Sequence, residues 1–130
     1  MASELRVNTL KDASGNNSIA TSTVFNGSAK MWINFNGTGT IAARDSFNFT
    51  SLTDNGTGDH TITIADNMSN ANYAHTGSSG GQNSTSNGAV YAYDQGTART
   101  TTLFRVIFFD VNGVGRDTPN IDISVNGDLA

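Results

Sequence analysis

Short runs in which apolar and polar residues alternate make up much of the chain, and turn signals separate them. Alternation places successive side chains on opposite faces of a strand, so each run has one apolar face. The dipeptide Asn-Gly occurs six times, and both of its residues tolerate the positive φ that tight turns between antiparallel strands require. No segment carries a sustained helical period. The pattern predicts an all-β fold, a compact antiparallel β-sandwich of the jelly-roll type.

The predicted strands follow from these runs. Residues 29–35 place Met31, Ile33 and Phe35 on one face, with Trp32 on the other. In the last strand the inward-facing residues are Ile121, Ile123 and Val125. That last strand spans residues 120–125, and further strands are predicted at residues 4–10, 40–43, 46–53, 60–65, 72–76 and 89–93.

Residues 101–109 form the most apolar run in the chain. A continuous apolar run indicates burial on both faces, so we predict a central strand here. Arg105 lies inside it and therefore needs a carboxylate partner or a route to solvent. Residues 77–87, by contrast, contain no side chain that could anchor a core. They predict an exposed, mobile loop.

The chain divides into an N-terminal segment, residues 1–28, and a sandwich domain, residues 29–130. Residues 18–28 are mostly small and polar, and the strand at residues 4–10 has no core of its own. We expect the segment to be an arm that adds a strand to the sheet edge of a neighbouring protein. An ordinary edge strand of the same domain is the alternative.

Composition leaves the core thin. Val, Ile, Leu and Phe number 27 of 130 residues, whereas Asn, Thr, Ser and Gly number 60. A marginal core of this kind is often completed by neighbouring subunits, so we expect a homo-oligomer.

Charge and cysteine content exclude several classes of function. The net charge of −4 gives no basic surface for nucleic acid, and the absence of cysteine excludes disulfides and thiolate chemistry. No apolar stretch is long enough to enter a membrane, and the N-terminus does not read as a signal peptide. We expect assembly in a reducing cytoplasm.

A strand containing Trp32 is followed by three short motifs, FNGTG at residues 35–39, RDSFN at 44–48 and DNGTGD at 54–59. In these motifs the chain resembles a module of tail-fibre-like and virion surface proteins from marine and freshwater phages, including cyanophages. That family often has an aromatic residue at position 60, where this chain has His60. The segments that also match are residues 3–10 and 69–74, so the resemblance covers more than half of the chain.

The resemblance implies a non-enzymatic structural protein on the exterior of a phage particle, forming a homotrimer and attached through its N-terminal arm to a tail or major capsid protein. A tail-fibre or receptor-binding protein would bind host surface glycan through loops at its distal end, with avidity from repeated weak sites. The alternative is a capsid decoration protein, a cement protein or head fibre that stabilises the shell.

Candidate catalytic residues are few, and we predict no enzymatic activity and no cofactor. His60 follows a turn and is expected at the surface, whereas His75 borders the predicted loop and could contact a ligand. Ser78 and Ser79 supply hydroxyls, but no Gly-x-Ser-x-Gly motif surrounds them.

Binding candidates are weak as well. Residues 110–117 place oxygen-bearing side chains and glycines at alternating positions, which loosely resembles a calcium loop, yet a plain turn explains them better and no metal site is predicted. Among the aromatic residues, Trp32 is expected in a second core face or a subunit contact. The residues that could stack on sugar rings are Trp32, Tyr73, Tyr91 and Tyr93.

Overall fold

The computed structural model describes residues 3–80, 90–93 and 98–130. Its elements in chain order are β1 (Thr9–Lys11), β2 (Ser18–Ala20), α1 (Thr21–Gly27), β3 (Met31–Asn36), β4 (Ala42–Phe47), β5 (Phe49–Gly56), β6 (Asp59–Ile64), β7 (Ala74–Gly80), β8 (Val90–Tyr93), β9 (Leu103–Phe109) and β10 (Asn120–Asn126). Within these ranges no helix combines the length and the apolar character needed to cross a membrane.

Eight of the strands form two four-stranded sheets. The first sheet has the order β4-β3-β10-β7, and the second has the order β5-β6-β9-β8. Neighbouring strands are antiparallel throughout. The two sheets share one apolar core, so the predicted all-β sandwich is confirmed.

The core forms where the apolar faces of the two sheets meet. Met31, Ile33 and Phe35 of β3 point into it, as do the three predicted inward residues of β10, and all six are buried. From the second sheet come Ile62 and Ile64 of β6 and alternate residues of β9. The period-two prediction for these strands is therefore confirmed.

The apolar run at residues 101–109 becomes β9, which lies between β6 and β8 inside the second sheet, as predicted. Its inward residues Phe104, Val106 and Phe108 are fully buried. On the other face Arg105 forms an ion pair with Asp59 of β6, with 2.7 Å between its Nε and Oδ1. The predicted carboxylate partner of this arginine is thus present.

One predicted strand, residues 46–53, is wrong as a single element. Asn48 separates β4 from β5, and its φ of 53° lies in the left-handed region that extended strands do not use. The chain passes here from the first sheet to the second. Phe47 therefore stays exposed on one sheet, whereas Phe49 packs against the core from the other.

The prediction of a loop at residues 77–87 is wrong for its first four residues, and residues 81–87 lie outside the described ranges. Ala74–Gly80 forms β7, which pairs along its whole length with β10. Backbone hydrogen bonds to a well-anchored neighbour hold this strand, so it needs no large apolar side chains of its own.

The N-terminal segment stands apart from the sandwich sheets. Among the described residues β1 pairs with β2 alone, in a separate two-stranded sheet and not at an edge of the sandwich, and the division of the chain at residue 28 stays a prediction. The predicted strand at 4–10 is reduced to Thr9–Lys11, and the seven-residue helix α1 was not predicted. No residue from 3 to 28 is buried. At the junction the Lys30 ammonium lies 4.0 Å from the centre of the Phe25 ring.

Candidate functional site

The candidate site is the outer face of the first sheet. Because Met31, Ile33 and Phe35 point into the core, the alternate residues Trp32 and Asn34 must point outward. The register aligns Trp32 with Ser124 of β10, and Ser124 with Thr76 of β7. The next outward row consists of Asn34, Asp122 and Ser78. A row that begins with the aromatic Trp32 thus runs beside an entirely polar row.

These two rows line an open groove of about 550 Å³. Trp32 is 38% exposed and presents part of its indole to solvent, and across the strand pair Phe47 of β4 is 52% exposed. Gly77 of the edge strand β7 is among the lining residues and contributes no side chain. A flat apolar ring beside an unfilled trough is a surface on which another flat, partly apolar group can pack.

A hydrogen-bonded network fixes the polar row. The Asn34 amide Nδ2 donates to Asp122 Oδ1 at 2.6 Å, which joins β3 to β10 across the face. Arg44, at a bulge in β4, donates to the Phe35 carbonyl at 3.0 Å, to the Pro119 carbonyl and, at 3.4 Å, to Asn34 Oδ1. These bonds orient Asn34 and Asp122 before any ligand arrives.

His60, by contrast, is a correction: the expected surface histidine is fully buried. It lies in β6 two residues before Ile62 and four before Ile64, so it shares their inward face. Its ring meets the Phe35 ring edge-on with 5.2 Å between centres, and neither ring nitrogen has a hydrogen-bond partner among the described residues. Burial lowers the pKa of His60, outweighing the opposite effect of Asp54, Asp117 and Asp59.

The structure does not assemble the other candidate catalytic residues into a site. His75 points inward from β7, where its ring stacks on Phe104 with 4.8 Å between centres. Ser78, three residues later on the strand, points outward, so the two side chains lie on opposite faces of the sheet. Ser79 faces inward, but a strand advances about 13 Å over four residues, beyond hydrogen-bond reach of His75.

The resemblance of residues 110–117 to a calcium loop is explained by a turn. Asp110 Oδ1 accepts from the backbone N–H groups of Asn112 at 2.8 Å and Val114 at 3.0 Å. Its Oδ2 accepts from the Arg116 guanidinium at 2.7 Å, and this hydrogen bond is the main reason why the pKa of Asp110 is lowered. Among the described residues no three His, Asp or Glu side chains are grouped as a metal site would require.

The aromatic candidates Trp32 and Tyr73 differ in burial. Trp32 is outside the core, so its predicted place in a second core face is wrong, and the predicted subunit contact stays untested. Tyr73 is buried, with its hydroxyl 3.0 Å from the Thr100 carbonyl, and offers no ring to a ligand. The side chains of Tyr91 and Tyr93 lie outside the described part of the chain.

Sequence reasoning missed Asn34 and Asp122 as a pair. Each residue was visible as an outward position, but 88 residues separate them in the chain. Only the pairing of β3 with β10 brings them together. The usable signal was the outward pattern Trp-x-Asn on β3, opposite a perfectly apolar inner face.

Comparison with known proteins supports the fold but gives no family. No family model matches the chain, and no curated protein matches it. Among solved structures it is similar to the phiAB6 tailspike, determined in complex with three-repeated oligosaccharides of Acinetobacter baumannii surface polysaccharide. The TM-score is 0.54 at 10% identity over 92% of this chain, which spans only 23% of the tailspike chain. At this identity the likeness establishes a shared fold, and the cyanophage-type resemblance stays a prediction.

Proposed function

We propose that the protein is a bacteriophage virion surface protein of the tail-fibre or receptor-binding type, which attaches the particle to glycans on the host cell. The observation that carries the proposal is the outer face of the first sheet, where Trp32 adjoins a polar row across a groove. The sandwich shared with a phage tailspike supports the virion setting.

A sugar ring fits this groove chemically. One face of many pyranose rings carries C–H groups and packs on an aromatic side chain, as Trp32 would allow. The ring hydroxyls around it both donate and accept hydrogen bonds, which the Asp122 carboxylate and the Ser124, Thr76 and Ser78 hydroxyls can match. The glycan site is thus a sheet face, whereas the sequence suggested distal loops.

A single open groove of this kind binds weakly. Repetition of the site in a homotrimer, and of trimers on one particle, would raise the overall affinity by orders of magnitude through effective concentration. The N-terminal segment would join the module to another virion protein. We expect binding without cleavage, because the candidate catalytic side chains are not brought together.

The test is binding of the purified protein to an array of bacterial surface oligosaccharides, comparing wild type with Trp32→Ala. We expect the variant to stay folded, because Trp32 lies outside the core, and to lose at least about tenfold in affinity. Phe25→Ala, which removes an exposed aromatic outside the groove, is the matched control and should bind like wild type.

Other outcomes would contradict the proposal. Absence of binding to every glycan, combined with binding to empty capsids and a change in their heat resistance, would establish a decoration protein instead. A fall in native mass for Trp32→Ala by light scattering would identify the groove as a subunit contact. Shortening of a bound polysaccharide would refute the expectation of a non-enzymatic protein.

A further inference from the structure

The charges on the outer face of the first sheet indicate which glycans the groove accepts. Within the strands of this sheet the charged side chains are Arg44, Asp45 and Asp122. Asp122 lines the groove, and the register places Asp45 beside Asn34 on the same face. The strands of this sheet therefore carry two carboxylates on the outer face and a single guanidinium.

The positive charge of Arg44 does not neutralise these carboxylates for a ligand in the groove. Its guanidinium donates to two backbone carbonyls and approaches Asn34, so it is held against the sheet by the protein itself. Arg44 is also absent from the lining of the groove, whereas Asp122 is part of it. A ligand in the groove therefore meets a carboxylate, which only accepts hydrogen bonds, and no cation is among the described residues that line the groove.

We propose that the groove selects glycans that are neutral or carry amino groups, and excludes those with carboxylate, phosphate or sulfate groups. This rests on the proposed glycan-binding function and adds the chemical class of the ligand. An anionic group beside Asp122 would be repelled and would lose its own hydration without a compensating donor. Sugar hydroxyls and ammonium groups are donors that the Asp122 carboxylate accepts.

Asp122 acts here as the specificity-determining residue. Asn34 satisfies one of its oxygens at 2.6 Å and fixes its orientation, and the carboxylate is exposed to solvent beyond that bond. Asp122→Asn keeps an oxygen for Asn34 but removes the charge. The variant therefore separates the electrostatic role of the residue from its structural role.

The experiment sorts the glycans of the oligosaccharide array by net charge. Wild type should bind neutral and amino-bearing glycans and bind acidic ones about tenfold less or not at all, with the difference shrinking at about 1 M salt. Asp122→Asn should raise the ratio of acidic-glycan to neutral-glycan binding several-fold, because it removes the repulsion of anions and also weakens the hydrogen bonds that neutral sugars donate to the carboxylate. Asp128→Asn makes the same change in net charge outside the groove, and should behave like wild type.

The outcomes separate this inference from the function on which it rests. No binding to any glycan would overturn the proposed function and the selectivity with it. Glycan binding that is lost in Trp32→Ala but is indifferent to charge, or stronger for acidic glycans, would overturn the selectivity alone. An Asp122→Asn protein that melts like wild type and keeps the wild-type preference would remove Asp122 from the mechanism.

Discussion

His60 is a titratable side chain placed inside an apolar core. It packs against Phe35, with Gly37 so close that a side chain there would press on the imidazole. An imidazole buried without hydrogen-bond partners is neutral in the folded state, because the charged form would lose its hydration. Its position directly after a turn predicted exposure, although its alternation with Ile62 and Ile64 along the same strand indicated the inward face.

This burial makes stability depend on pH in a defined direction. Folding lowers the pKa of His60 below its ordinary value of 6.5. As the pH falls below 6.5, His60 therefore binds a proton in the unfolded chain but stays neutral in the folded chain. Stability should therefore fall between pH 7 and pH 5, by at most about 1.4 kcal/mol per pH unit from this one group. Urea denaturation at a series of pH values measures the fall.

The matched variants are His60→Leu, which fills a similar volume without a titratable group, and His75→Gln, which leaves His60 in place. The first should flatten the curve between pH 7 and pH 5, and the second should retain a loss. At lower pH both will lose stability, because ion pairs with arginines lower the pKa of Asp59 and of Asp110. A wild-type curve already flat down to pH 5 would refute the buried, neutral state of His60.

At the scale of elements, Asn48 is the corner between the two sheets. It is the one non-glycine residue with positive φ in the described ranges. Its amide Nδ2 donates to the Lys30 carbonyl at 2.8 Å, and the Asp66 backbone N–H donates to its Oδ1 at 2.6 Å. One side chain thus ties together the entry to β3, the end of β4 and the segment after β6.

Substitutions at position 48 should separate backbone strain from hydrogen bonding. Asn48→Ala loses the side-chain bonds and places a Cβ at positive φ, so we expect it to lower the free energy of unfolding by about 2–4 kcal/mol. Asn48→Gly loses the same bonds but adopts this φ readily, and should be about 1 kcal/mol more stable than the alanine variant. Chemical denaturation measures both; equal stabilities would mean that the backbone is unstrained here.

The elements themselves were predictable where one face is uniformly apolar. β3, β6 and β10 each carry isoleucines, or other residues that are buried, at every second position. The predicted ends of these strands lie within a few residues of the observed ends. β7 was missed in part because its outward and inward positions are both small or polar. Helix α1 was missed because two turns are too short to show a period.

At the scale of the whole molecule, strand order could not be predicted from the sequence. β3 and β10 are the first and last strands of the sandwich along the chain, and they pair with each other. No local sequence pattern indicates which apolar strands become neighbours. The same pairing builds the groove, so the candidate site was out of reach of sequence reasoning as well. The sequence did predict the parts of the groove, namely an outward tryptophan on β3 and outward polar positions on β10.

The N-terminal segment contributes no buried residue among residues 3–28 and leaves several apolar side chains exposed. An isolated two-stranded sheet is marginal in water, and the residues around it expose apolar side chains, such as Leu5, at 82% exposure, and Phe25 of α1, at 53%. We expect that removing residues 1–28 leaves the melting temperature of the sandwich within a few degrees of the full chain, because none of residues 3–28 is buried. Differential scanning calorimetry measures this directly.

The same truncation tests whether the N-terminal segment binds a different protein or joins copies of this chain. If the proposed virion role holds and the segment docks onto a virion protein, full-length and truncated proteins should share a mass near that of three chains by light scattering, and only the full chain should enter phage particles. Leu5→Ser in the full-length protein is the milder variant, and should weaken incorporation without altering mass or melting. A truncated protein that is monomeric would show instead that the segment joins the copies to one another, and a monomeric full-length protein would refute the shared-core argument for a homo-oligomer.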